Sequence, residues 1–380
     1  MRITFLMPGY MWGPSGGYRV VYEYANQLVS RGHEVAVVHP RHLPSAPPVK
    51  PTLRQSLRKC RLTLIEAVSK PTIDWHPIDP RVRLLYVPSL LDRHIPDSDI
   101  LFATAWNTAR PVMECSPAKG EKCYLIQHYE TWMGPKALVD ETWRMPLRKI
   151  VIAQWLLDLG TSLGSRSLSY VPNGIDHKHY KITQSIEGRP RQVVMMCSHV
   201  EFKRSRDGIA ALQLAKNEFP DLRVVLFGNS YRPSWVPDWM SYEENPPQRH
   251  IVEDFYNSSS IMLSPSLTEG FPLPPAEGAA CGCAIVATDI GGHHEYLQNG
   301  VTALLSPAKD PHALARNLCL LLANDELRIR LARSANEFIK QFTWQRSADL
   351  LEDFVIDAVA HEPLSRSRVS AVEVSSALRS

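Results

Sequence analysis

Two glutamates, Glu269 and Glu277, stand with seven residues between them in SPSLTEGFPLPPAEGAACGCAIVATDIGGHHEYLQNG (264–300). A carboxylate accepts hydrogen bonds from hydroxyls, singly or in pairs, so both suit a ligand rich in hydroxyl groups. Lys203 and Arg204 lie together at or just before the start of a helix, where cations and free backbone amides attract an anion. Gly16 and Gly17 end the glycine-punctuated loop GYMWGPSGG (9–17), again ahead of a helix and ready for phosphate or sugar oxygens. His128 follows a strand in KCYLIQHYETWMG (122–134), among Gln127, Tyr129, Glu130 and Trp132. Taken singly, each residue has an ordinary reading. The glutamates fit a solvated loop and a helix N-terminus, the basic pair an exposed loop, the glycines a tight turn and His128 a structural histidine.

The elements around these residues give them a common place. SIMLSPS (260–266) is a buried strand ended by Pro265, Pro274 and Pro275 stand where a helix opens, and AEGAACG (276–282) continues it until Gly282. AIVAT (284–288) is the next strand, and the loop DIGGHHE ends in Glu295 at the start of another helix. Earlier strands fall at 2–8, 34–40, 83–89 and 100–106, within 122–134, from 149 and from 167, with an amphipathic helix over 18–30. Past residue 190 come a strand, a loop, a helix from about Arg206 and a strand at 222–229. The proline-rich run 231–248 reads as a surface loop, 250–259 as a short helix, and 310–359 as helical with breaks near Asn324 and Phe342. Strands alternating with helices predict an α/β chain of two Rossmann-like, doubly wound domains, whose ligands lie at the carboxyl ends of the strands.

The stretch 264–300 resembles the signature of retaining glycosyltransferases of the GT-B fold, family 4 (glycosyl transferases group 1). There a strand ending PSxxEGF precedes LPxxE, ACG, a strand and a GGxxE turn, matched here by Glu269, Glu277, Gly291, Gly292 and Glu295. VPNGID (171–176) resembles the same family's crossing between domains. The resemblance implies two domains facing each other across a cleft. The acceptor-binding domain is expected over 1–172, the nucleotide-sugar domain over 173–342, a helix crossing back over 343–360 and a disordered tail over 361–380. It implies catalytic roles for Glu269, His128 and Lys203. It implies donor binding by Gly16, Gly17, Lys203, Arg204, Gly270, Phe271, Leu273 and Glu277. Glu277 would hold the ribose hydroxyls, and Lys203 with Arg204 the diphosphate. Without a covalent nucleophile in sight, the expected chemistry is a retaining, front-face displacement that needs no metal and no cofactor, the nucleotide sugar being a substrate. Two positions depart from the pattern: Pro272 where the family usually has Gly, and Ser198 where it usually has Arg. The first removes a backbone donor from the sugar site. Asp97 and Asp99 (DSD) superficially resemble the metal-holding carboxylate pair of other sugar transferases, but a solvated turn before the strand at 100 is the expected reading.

At 380 residues, 44% hydrophobic and 21% charged, the chain has the composition of a globular protein of about two domains. Its net charge of +3 is spread rather than striped, which excludes a nucleic-acid footprint. Seven scattered cysteines without metal spacing, and no signal peptide, lead to the expectation of a reducing cytoplasm. Cys281 and Cys283 read as small packing residues. The segment 41–75 interleaves Lys50, Arg54, Arg58, Lys59, Arg61 and Lys70 with leucines. It fits peripheral contact with an anionic membrane, and fits equally a solvated loop and helix. A saccharide or lipid-linked acceptor, in polysaccharide synthesis, is the matching expectation. Two other readings stay open: another GT-B enzyme, such as a nucleotide-sugar epimerase or a phosphorylase, and a catalytically silent nucleotide-sugar-binding partner of a transferase.

Overall fold

The computed structural model of the chain describes residues 1–11, 13–43 and 73–360. The basic, leucine-bearing segment 50–70 and the tail 361–380 lie outside the described residues. Among the described residues thirteen strands form two all-parallel sheets. The first comprises β1 (Arg2–Leu6), β2 (Glu34–His42), β3 (Arg83–Ser89), β4 (Ile100–Ala103), β5 (Glu121–Ile126), β6 (Arg148–Val151) and β7 (Leu168–Tyr170) in the order 3-2-1-4-5-6-7. The second comprises β8 (Gln192–Met196), β9 (Arg223–Gly228), β10 (Ser241–Glu244), β11 (Ile261–Ser264), β12 (Ala284–Thr288) and β13 (Ala303–Ser306) in the order 10-9-8-11-12-13.

Both orders reverse direction once, between β1 and β4 and between β8 and β11, and loops diverge there to open a crevice at the carboxyl ends. The central strands are apolar on both faces: Ile3, Phe5 and Leu6, or Ile261 and Leu263, are fully buried, as parallel strands covered by helices require. The longer helices among the described residues are α1 (Gly16–Ser30), α2 (Trp106–Glu114), α3 (Lys136–Arg144), α4 (Gln154–Ser162), α5 (Ser205–Glu218), α6 (Leu273–Ala280), α7 (Pro311–Ala323), α8 (Asp325–Ile339) and α9 (Trp344–Ala360). Asn324 ends α7 and caps α8, accepting from the Leu327 amide at 2.9 Å.

Several boundaries differ from the sequence expectation, each for a local reason. The run 231–248 is not all loop: Ser241–Glu244 pairs in parallel with β9 as an edge strand, where flanking prolines are tolerated. Helix α6 begins at Leu273, one residue ahead of the prolines that mark its opening, and Pro274 and Pro275 fall in a first turn whose amides have no intrahelical partner. Helix α1 takes in Gly16 and Gly17 as its first two residues. Glu295 ends a short 3-10 turn (His293–Glu295) instead of starting a helix.

The chain crosses between the sheets twice, and the two crossings touch. The Ile175 amide donates to the Phe342 carbonyl at 3.0 Å, and Ile175 bridges Thr343. A Cβ on Gly174 would lie 2.2 Å from the Trp344 nitrogen, so only glycine fits. Helix α9 then packs on α1. Arg31 of the first domain holds Asp349 and Glu352, both at 2.6 Å, and the buried Trp344 ring meets Tyr24 edge-on at 5.6 Å.

Candidate active site

Two loops of the second sheet build the centre of the site. After β8 the chain turns through Ser198, whose hydroxyl accepts from the Val200 amide, and enters a 3-10 turn at Glu201–Lys203. Arg204 adopts the left-handed conformation (φ 50°), which redirects the chain into α5. After β11 the Leu267 amide donates to the Phe202 carbonyl at 2.7 Å, tying the two loops together. That tie brings Lys203 and Glu269 into contact. The Lys203 ammonium donates to both Glu269 oxygens, at 2.7 and 3.0 Å, and the Ser266 hydroxyl donates to Oε1 at 2.8 Å.

Glu269 is only 7% exposed. Burial alone would raise its carboxyl, but the charge and hydrogen bond of Lys203, with Ser266 and His128, hold it below the ordinary carboxylate value. The pair borders a pocket whose wall includes Ser264, Pro265, Pro272 and Pro274. Beneath it, the buried His293 bridges β11 and β12: Nδ1 donates to the Thr288 carbonyl at 2.7 Å and Nε2 accepts from Ser264 at 2.9 Å. Burial pushes His293 down to about 4, so it is a neutral strut.

The first domain faces this centre with His128. Its two ring nitrogens are buried, with the backbone of Tyr129 and of Thr268 beside the ring. Phe202 of the second domain, Trp132 and Trp155 surround it, with ring centroids 5.6 to 6.2 Å away. Burial lowers its basicity, and the nearby Glu269 charge pulls the other way. A neutral imidazole carries one donor and one acceptor nitrogen, which suits it to a ligand hydroxyl. Nearby, Glu130 accepts the Trp106 amide at the start of α2 (2.6 Å), and burial pushes its carboxyl up to about 7.

The other expected donor residues divide. Glu277 is buried and engaged: Arg19 of α1 reaches across from the first domain to Oε1 at 2.5 Å, and the Tyr256 hydroxyl donates to Oε2 at 3.2 Å. Burial opposes the charge on Arg19, yet Glu277 and Tyr180 keep its guanidinium firmly protonated. Gly16 approaches Leu273, which is also buried, and the Gly17 carbonyl accepts from Gln127 at 3.0 Å. Gly270 lies against the Gln127 carbonyl so closely that a Cβ would come within 1.9 Å.

The side chains of two further expected donor residues point elsewhere. Arg204 faces its own helix, with a bidentate pair to Asp207 at 2.8 and 2.9 Å, because the left-handed turn aims its side chain at the first turn of α5. Phe271 packs in the core against Tyr296 and Phe342, at 5.2 and 5.6 Å, so its ring is a wedge below the site. Pro272 offers no amide, and its carbonyl accepts from Tyr296 at 2.5 Å. Asp97 and Asp99 lie by the amino end of β4, each beside a cation: Lys119 at 2.8 Å and Arg2 at 2.8 Å. Among the described residues no group of three or more His, Cys, Asp or Glu side chains could hold a metal ion. Cys281 and Cys283 are free and buried in the core, and burial pushes the Cys283 thiol up to about 12.

Sequence reasoning missed Arg19, Ser266, Trp155 and Phe202. Only Arg19 carried a signal: it stands one helical turn past Gly16 and therefore on the same end and face of α1.

Residues 191–324 match the family model described as glycosyl transferases group 1. A D-inositol 3-phosphate glycosyltransferase of Corynebacterium glutamicum is 30% identical over 177 residues, 42% of this chain and 42% of that protein. The match thus spans less than half the length of that curated relative. Sucrose-phosphate synthase from Thermosynechococcus elongatus superposes with a TM-score of 0.70 at 15% identity, over 94% of this chain and 99% of its own. TarM of S. aureus, as a mutant in complex with UDP, reaches 0.73 at 10% identity, over 95% and 100%. At these identities the structural likeness speaks for the fold. The two parallel sheets form the GT-B fold, and residues 191–324 of the second half are similar to the glycosyl transferases group 1 family.

Proposed function

We propose that the protein transfers a sugar from a nucleotide-diphosphate sugar to a hydroxyl acceptor with retention at the anomeric carbon. The observation that carries this reading is the Lys203–Glu269 pair, its carboxylate buried, at the switch point of the second sheet and faced by His128. In the reaction the bond between the anomeric carbon and the diphosphate oxygen breaks, and the acceptor oxygen forms its bond on the same face. The acceptor proton passes to the departing phosphate oxygen. Lys203 supplies positive charge where the leaving diphosphate gains negative charge, aided by the amides that begin α1 and α5. Glu269 accepts hydrogen bonds from sugar hydroxyls, and His128 accepts from or donates to them, as the ring acquires oxocarbenium character. Glu277, held by Arg19 and Tyr256, keeps lone pairs for the ribose hydroxyls. No resident cofactor or metal has a part in this scheme.

The acceptor is a saccharide or a lipid-linked saccharide, presented to the first domain at an anionic membrane surface through the segment 50–70. No helix among the described residues is long and apolar enough to cross a membrane. The deciding experiment incubates the protein with a panel of nucleotide sugars, starting with those of UDP, with and without saccharide acceptors and after exhaustive chelation. Acceptor-dependent nucleotide release supports transfer. Turnover without acceptor points to an epimerase, phosphate-dependent turnover to a phosphorylase, and binding without turnover to a silent partner. Loss of activity on chelation, restored by manganese or magnesium, removes the metal-free part.

A further inference from the structure

Glu295 belongs to the signature turn but has no part in the donor site proposed above. Its carboxylate instead reaches the other domain. Oε1 accepts from the Gln154 amide at 2.5 Å, and Oε2 from the Tyr170 hydroxyl at 2.6 Å. Gln154 is the first residue of α4, and the position before it is Ala153, whose methyl group cannot cap. The first domain thus presents a nine-residue helix without a side-chain cap from its own N-cap residue, and the second domain provides an acceptor for it.

The next residue of α4 makes the same crossing. Trp155 Nε1 donates to the Gly270 carbonyl at 3.1 Å, and its ring lies where a Cβ on Gly291 would be, 2.5 Å from Cγ. Gly270, Gly291 and Glu295 of the signature therefore all meet the first domain, and all three meet one helix end. A carboxylate at a helix N-terminus is favoured by the free amides and the dipole together.

We propose that Glu295 is a positioning residue: it caps α4 in trans, and this contact docks the donor end of the second domain onto the first in the geometry that transfer requires. The proposal rests on the transferase reading for its kinetic arm only. The test uses the full chain with Glu295→Ala, Glu295→Gln and Tyr170→Phe, the last removing a single hydroxyl. Small-angle scattering with and without UDP reports domain closure, calorimetry reports UDP affinity, and kcat and KM are measured separately.

Losing a helix cap corresponds to about a tenfold change in an equilibrium, so kcat of the Ala variant is expected to fall about tenfold. Its radius of gyration should exceed that of the wild type, while UDP affinity stays within about twofold because Glu295 makes no donor contact. The Gln variant keeps an acceptor oxygen and should regain most of the rate. An Ala variant with wild-type scattering and kcat overturns the proposal, as does a loss of UDP affinity that parallels the loss of rate. If the wild type transfers no sugar, the transferase reading fails, and the scattering arm alone decides the trans-cap.

Discussion

Replacing Lys203 by Met tests the charge state of the site's central pair. The ammonium makes two short bonds to a carboxylate that is 7% exposed, and Ser266 is the other hydrogen-bond partner that Glu269 would keep. Breaking a fully buried pair costs about 3–5 kcal/mol, and an exposed pair contributes under about 1 kcal/mol. Lys203 is 22% exposed at its side chain, so a loss of roughly 2–3 kcal/mol at neutral pH is expected. For a domain of this size that lowers the melting midpoint by roughly 4–12 °C.

The pH dependence distinguishes a lost charge from lost packing. In the wild type the Glu269 carboxyl is held below its unfolded value, so its stabilisation is complete above the unfolded pKa and is lost as pH falls through the folded one. Without Lys203 the largest remaining influence is burial, which raises the carboxyl. The variant then binds a proton more tightly folded than unfolded, and its deficit relative to the wild type shrinks on going from about pH 7.5 to about pH 5. Urea unfolding of wild type, Lys203→Met, Glu269→Gln and the double variant at both pH values measures this as a cycle. A deficit for Lys203→Met that is the same at both pH values would show that no charged pair exists and would refute the argument.

Glu277→Gln should weaken UDP binding about tenfold or more by calorimetry, since a charged acceptor contributes about 1.5–3 kcal/mol; an unchanged affinity removes Glu277 from the ribose site. His128→Ala should leave UDP affinity intact and reduce kcat about 100-fold, the scale for removing one donor to a developing charge. Equal losses in UDP affinity and rate would place His128 in nucleotide binding instead. The full chain should sediment with anionic vesicles at low salt, each basic residue near the leaflet contributing about 1 kcal/mol. Reversing Arg54, Arg58 and Arg61 to Glu should abolish this, and persistence of binding would make segment 50–70 an ordinary solvated loop.

What the sequence made legible was local and periodic. Apolar runs placed the strands, Pro265 marked the end of one and Gly282 the end of a helix, and the motif spacing placed Glu269 and Gly291 at strand ends with Glu277 on the helix beside them. The partners of those residues were not legible. Lys203 and Glu269 read as two independent ligand contacts, although a 2.7 Å bond joins them across 66 positions of sequence. Arg19 and Glu277 are 258 positions apart, and no spacing rule connects them. Arg204 looked like a phosphate ligand because its left-handed backbone, which sends the side chain to Asp207, leaves no mark in residue types. Phe271 follows the glutamate and glycine of the motif, yet its ring turns inward to Tyr296, since a large apolar side chain beside a pocket is stabilised more by the core than by a polar ligand. The edge strand Ser241–Glu244 was hidden by prolines that sit around it without interrupting it.

The paired crossings at Ile175 and Thr343 also set how the two halves can meet. A single tether would let one half tumble about the other, whereas two chain segments bridged side by side leave rotation about the seam as the soft motion. Each half is then held near the other at an effective concentration in the millimolar range, as short linkers impose, without any contact at the far edge. The entropy of bringing the halves together is lost once, when the chain folds, and not again at each opening. A few hydrogen bonds at the rim therefore suffice to bias the swing, and each opening need break only those few.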